Sequence, residues 1–164
     1  MAGPIRRLLV LVDGTEESIT AAQYAILLAG SSGAELIAAY VINTRALNEL
    51  LKTRIFVEAE EEEYEADLRS DADRYLKHVK DLADQKGVPL RTLTASGSVH
   101  QEVTKMVREH EIDLLVIGEI AHARSRRDEF YNESERAMRS VGCSVLIVKD
   151  QERVWDMFEY GAEE

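Results

Sequence analysis

The stretch GEIAHARSRRDEFYNESERAM, residues 118–138, gathers the residue types in this chain that could do chemistry. It follows an apolar, strand-like run and leads into an amphipathic segment, which is where an α/β protein places a phosphate-binding turn. A backbone that cradles phosphate needs glycines, because only without Cβ can N–H groups close on the anion unobstructed. One glycine is present here, Gly118, followed by Arg124, Arg126 and Arg127 and by Asp128, Glu129 and Glu133. The arginines could bring charge to a phosphate in place of backbone donors. Interspersed with acids as they are, they read first as surface ion pairs.

The other chemical templates fail. There is no GxxxxGK[ST] phosphate loop, no GxGxxG turn and no GxSxG elbow. The histidines, His78, His100, His110 and His122, form no HExxH pair, and one cysteine, Cys143, supports neither a Cys-based zinc cluster nor an internal disulfide. Cys143 immediately precedes the apolar run SVLIV and reads as a packed small residue. His122 reads as a solvated loop residue.

Composition narrows the partners. The chain has 164 residues, 45% of them hydrophobic, enough for one domain with a substantial core. Its formal net charge of −11 argues against a nucleic-acid backbone, whose phosphates call for clustered Lys and Arg. The first residues, MAGPIRR, lack a secretory h-region, and no apolar run approaches the roughly 20 residues that span a bilayer. The expectation is a cytoplasmic protein that binds neither membrane nor nucleic acid.

The elements that would position a site follow from hydrophobic period. Residues 5–12 (IRRLLVLV) read as a buried strand stopped by Asp13-Gly14-Thr15. Ile19, Ala22, Ile26 and Ala29 recur at helical spacing, with Thr15 as N-cap and Gly30 and Gly33 as stops. Further strands fall at 35–42, 90–95, 113–118 and 144–149. A helix is expected from Tyr64 to the break at Gly87 and Pro89, another opens at Ser98 with Gln101 completing a capping box, and a last one spans 128–140. Residues 43–63 lack a clean cap or stop. The acidic run EAEEEEYEAD (58–67) reads as a solvated helix face rather than a metal site, which needs converging ligands. Strands alternating with helices predict an open, doubly wound parallel sheet whose ligand edge carries residues 13–15, 41–43, 96–98 and the turn after Gly118. The tail RVWDMFEYGAEE (153–164) carries Val154, Trp155, Met157 and Phe158, and is expected to dock on the domain or on a second subunit.

Over roughly residues 4–150 the chain resembles the universal stress protein family. The resemblance is carried by LVLVDGTEES (9–18), AELIAAYVI (34–42), ASGSVHQEV (95–103), DLLVIG (113–118), SER (134–136) and CSVLIVK (143–149). It implies a Rossmann-like, adenine-nucleotide-hydrolase-like α/β fold with five parallel strands in the order 3-2-1-4-5. It also implies homodimerisation through the last strand, no dedicated catalytic apparatus, and a universal stress protein domain at 4–150 with a C-terminal extension at 151–164. ATP-binding members resemble one another after strand four: Gly, two residues, Gly, nine residues, then Gly with Ser or Thr. On that pattern Gly118 takes the first glycine, Ala121 the second, Tyr131 the third, Asn132 the hydroxyl position, and Ser134 a second serine. Two of three glycines are replaced, and the Tyr131 ring stands where phosphate and backbone would touch.

The adenosine half of such a site survives the comparison: Asp13 could accept from a ribose hydroxyl, and the Val41 backbone could bond the base. Asp13 could equally be a turn acceptor at a strand–helix junction. The expectation is therefore a homodimeric, non-enzymatic stress-response or regulatory module with weak or no ATP binding, the alternative being an AMP or ATP sensor that uses the remaining adenosine contacts. A phosphoacceptor receiver domain shares the plan and would use Lys149. It fails for lack of a carboxylate after strand three, where Ala95, Ser96 and Gly97 stand.

Overall fold

A computed structural model describes residues 3–44, 58–120 and 133–161. Five parallel strands, β1 (Arg7–Val12), β2 (Glu35–Ile42), β3 (Leu90–Ser96), β4 (Leu114–Gly118) and β5 (Ser144–Val148), form one sheet in the order β3-β2-β1-β4-β5. The expected strand order holds, with the reversal beside β1. The central strand is aliphatic on both faces, and Leu8 to Val12 are all buried, as a parallel strand covered by helices on both sides requires.

Helices α1 (Glu16–Ser32), α2 (Glu58–Gln85) and α5 (Gln151–Tyr160) cover one face of the sheet, and α3 (Val99–Glu109) and α4 (Glu133–Ser140) the other. Alternation along the strands sorts the core accordingly. Leu8, Val10 and Val12 pack toward α1, α2 and α5, while Leu9 and Leu11 pack toward α3 and α4. Among the described residues no helix is long and apolar enough to cross a membrane.

Several boundaries differ from the sequence reading. Helix α1 is capped by Thr15, whose hydroxyl accepts from the Ser18 N–H at 3.2 Å, and it ends at Gly33 in the left-handed region, φ 74°. Gly30 does not stop it. A Cβ there would lie 3.3 Å from Val88, so this glycine serves the approach of the segment leading into β3. Helix α2 begins at Glu58 rather than Tyr64, buries Ala72, Leu76, Val79 and Ala83 along one face, and leaves Glu62, Glu63 and Asp67 in solvent. The capping box at α3 is absent: Ser98 is the N-cap but makes no capping bond with its side chain, which is directed at His100 instead. Strand β1 starts at Arg7, not Ile5, where the Asp113 carboxylate accepts from the N–H groups of Arg6 and Arg7 at 2.8 and 2.9 Å. Those two bonds hold the Asp113 carboxyl below its ordinary range and pin the lower ends of β1 and β4 together. Of the last helix expected at 128–140, the part 133–140 is helical and 128–132 lie outside the described residues.

The tail forms α5. Asp150 caps it by accepting from the Arg153 N–H, and Val154 and Phe158, one turn apart, enter the same core as α1 and α2. The Lys86 ammonium lies 4.7 Å from the Phe158 ring centroid and closes the joint from α2's end.

Candidate functional site

The carboxyl edge of the sheet brings Asp13, Val41 and Gly118 to the tops of three adjacent strands. The β1–β2 ladder stops at Val12–Tyr40, whereas β2 runs on beside β3 to Ile42–Ser96. Past Val12, therefore, β2 has no β1 partner, while the strand order reverses on the other side of β1, between β1 and β4, the place where open α/β sheets take ligands.

Asp13 closes its own turn. Its Oδ1 accepts from the Thr15 N–H at 3.0 Å and from the Thr15 hydroxyl, and the Asp13 N–H donates to the Ser18 hydroxyl at 3.2 Å. The other carboxylate oxygen has no hydrogen-bond partner among the described residues. Gly14 sits at φ 83°, and a Cβ there would meet the Tyr75 ring at 2.8 Å, so glycine is demanded both by backbone conformation and by space. Tyr75 is held in turn by Tyr40, whose ring is parallel to it at 6.3 Å. Burial, and then the negative charge of Asp13, push the Tyr40 phenol above its ordinary range.

Gly118 has a different reason to be glycine. A Cβ on it would collide with the Glu17 carbonyl oxygen and lie 2.9 Å from the Ser18 nitrogen. The first turn of α1 thus packs directly on the end of β4, and that contact accounts for the glycine without any phosphate. Ala121, Tyr131 and Asn132, together with Arg124, Arg126, Arg127 and His122, lie outside the described residues. Ser134 is half-buried in the first turn of α4.

A second polar group on this edge escaped the sequence reading. His100 of α3 reaches Glu133 of α4, Nδ1 to Oε2 at 3.2 Å, and the same nitrogen lies 3.0 Å from the Ser98 hydroxyl. Ser, His and Glu together suggest a nucleophile relay. A relay needs serine and acid on opposite ring nitrogens, and here both meet Nδ1, so the group is a clamp between two helix N-termini. Glu133 also lies 3.5 Å from Arg136. Only the Ser98–His100 spacing is local, and the acid stands 33 residues away, so no sequence signal joined them. Gly97, at φ 143°, makes the tight entry to α3.

Cys143 packs against the α3–α4 side of the core, and burial pushes its thiol up, as suits a packed residue rather than a nucleophile. Among the described residues no three His, Cys, Asp or Glu side chains converge as a metal site.

The fold is an open, doubly wound α/β sheet whose strand order reverses between β1 and β4. The universal stress protein family model matches residues 4–149, and the chain belongs to that family. It is 26% identical over 144 residues to universal stress protein MJ0531 of Methanocaldococcus jannaschii, covering 88% of this chain and 82% of that one. Among solved structures it is similar to a universal stress protein family member from Burkholderia pseudomallei, with TM-score 0.69, 19% identity, and 92% and 100% of the two chains covered. It is likewise similar to a family member from Arabidopsis thaliana with AMP bound, with TM-score 0.64, 13% identity, and 88% and 91% covered.

Proposed function

We propose that this protein is a cytoplasmic, homodimeric, non-enzymatic stress-response or regulatory module whose ATP motif is degraded, so that it binds ATP weakly or not at all. Residues 4–150 are its universal stress protein domain and 151–164 an extension. The observation that carries the reading is the contact between Gly118 and the α1 backbone. The one glycine left of the three-glycine pattern is required for packing, which leaves Ala121 and Tyr131 at the two positions where phosphate would need close backbone. The test is thermal unfolding with nucleotide. Magnesium ATP at ~1 mM should move the melting temperature by less than about 1 °C, since a ligand near or below its Kd adds at most about 0.4 kcal/mol. A shift of several degrees, or ATP released from the purified protein on denaturation, would defeat the reading.

A second reading, an AMP or ATP sensor, is favoured by the spare Asp13 oxygen beside the open end of β2. The Arabidopsis neighbour has AMP bound, and in this chain AMP would use Asp13, the Val41 backbone, and the positions of Gly118, Ala121, Asn132 and Ser134. It predicts a rise in melting temperature with AMP that Asp13→Ala abolishes.

Dimerisation through β5 is supported by that strand's place at the sheet edge with Val145, Leu146 and Ile147 only half-buried. Light scattering at micromolar concentration should give twice the chain mass, 18.5 kDa each. A monomer would overturn the assignment.

A further inference from the structure

A cleft of about 680 Å³ lies between α1, α2 and α5, on the helical side of the β1–α1 turn. Its floor is one stripe of α1, in which Glu16, Ile19, Thr20 and Gln23 recur at helical spacing. Tyr75 and His78 of α2 line it from one side, and Glu152 and Trp155 of α5 from another. This volume and mix of apolar wall with a few polar groups suit a small-molecule site.

Two features point to an occupant. Gln23 is only 8% exposed, yet its side-chain amide makes no hydrogen bond among the described residues. No fully buried side-chain nitrogen or oxygen there lacks a partner, so the amide must open into the cleft, offering one donor and one acceptor side by side. A buried amide left to water alone in this way is poised for a ligand that answers both groups. The second feature is charge and surface. Glu16 and Glu152 line the cleft without ion-pair partners among the described residues, and Trp155 is 46% exposed there, its ring edge-on to Tyr160 at 6.0 Å. Acids beside an indole face favour a flat cation and repel phosphate.

We propose that this cleft binds a small planar heteroaromatic cation carrying a carboxamide-like donor–acceptor edge, paired with Gln23, stacked on Trp155 and neutralised by Glu16 and Glu152. The proposal does not rest on the nucleotide reading: its polar anchors are Gln23, Glu16 and Glu152, although Gly14 and Thr15 of the β1–α1 turn and Tyr75 line the cleft as well.

Trp155 is the chain's one tryptophan, so its emission reports directly on the site. The probe is 1-methylnicotinamide, a planar cation with a carboxamide, titrated into the full-length protein. Saturable change in emission is expected, with neutral nicotinamide weaker and nicotinate without effect. Gln23→Leu, which keeps the side-chain bulk among apolar neighbours, should weaken binding about tenfold or more. Glu152→Gln, at an exposed position that folding does not require, should weaken it about threefold, and calorimetry with Trp155→Phe should show binding reduced in the absence of any fluorescence signal. Quenching that stays linear to ~10 mM probe, equal quenching by nicotinate, undiminished binding to Glu152→Gln and Gln23→Leu, or displacement of the probe by AMP would each overturn the proposal.

Discussion

Gly118→Ala should unfold in denaturant with about 3 kcal/mol less stability than the parent chain, near the upper end of what overpacking a close contact costs. The reason is the partner. The added Cβ would collide with the Glu17 carbonyl oxygen and its carbon, and these are main-chain atoms of a capped helix rather than the free end of a side chain. Relief requires α1 to lift from β4, which would pull Ala21, Ala22 and Ala25 out of the core they share with Val10 and Val116. For a chain of this length such a loss lowers the melting temperature by roughly 6–12 °C. The effect should be the same with and without nucleotide. A Gly118→Ala variant as stable as the parent would show that glycine is there for something other than helix packing, and would reopen the phosphate reading of the turn.

Phe158→Ala should cost about 3–5 kcal/mol, the range for emptying a large aromatic site in a core that relaxes only partly. Phe158 is 1% exposed and heads the fully buried side chains of the described residues, although it lies on α5 near the end of the sequence. It is buried with Val154 against α1 and under the Lys86 ammonium, so its loss leaves a cavity at the joint of α1, α2 and α5. Urea unfolding of the variant, monitored by far-ultraviolet circular dichroism, should show a lower midpoint with an unchanged slope. Trp155→Ala, one turn earlier and half in water, should lose far less, so the pair separates burial from mere proximity. Equal stability of Phe158→Ala and the parent would mean that α5 contributes nothing to the core.

The fold was largely legible because its signals are local. Short aliphatic runs closed by Asp-Gly or Gly-Pro neighbourhoods mark strands, and Thr15 and Gly33 bracket α1 where they should, each acting through bonds to residues three or four positions away. Boundaries failed where a distant residue decided them. Gly30 reads as a stop until Val88 is seen packed against it, and Ser98 reads as half of a capping box until His100 takes its hydroxyl.

The same division runs through the candidate site. From residue types alone came the family, the expectation of a ligand edge at the tops of β1, β2 and β4, and the replacement of two glycines at Ala121 and Tyr131, because a backbone-to-anion contact depends on the presence of Cβ at single positions. Tertiary structure alone decided why Gly118 is glycine, that Asp13 closes its own turn with one oxygen to spare, that His100 clamps Glu133, and that Gln23 and Trp155 line one cleft. Each of those facts is a distance between groups far apart in the chain, and such distances exist only once strands and helices have packed.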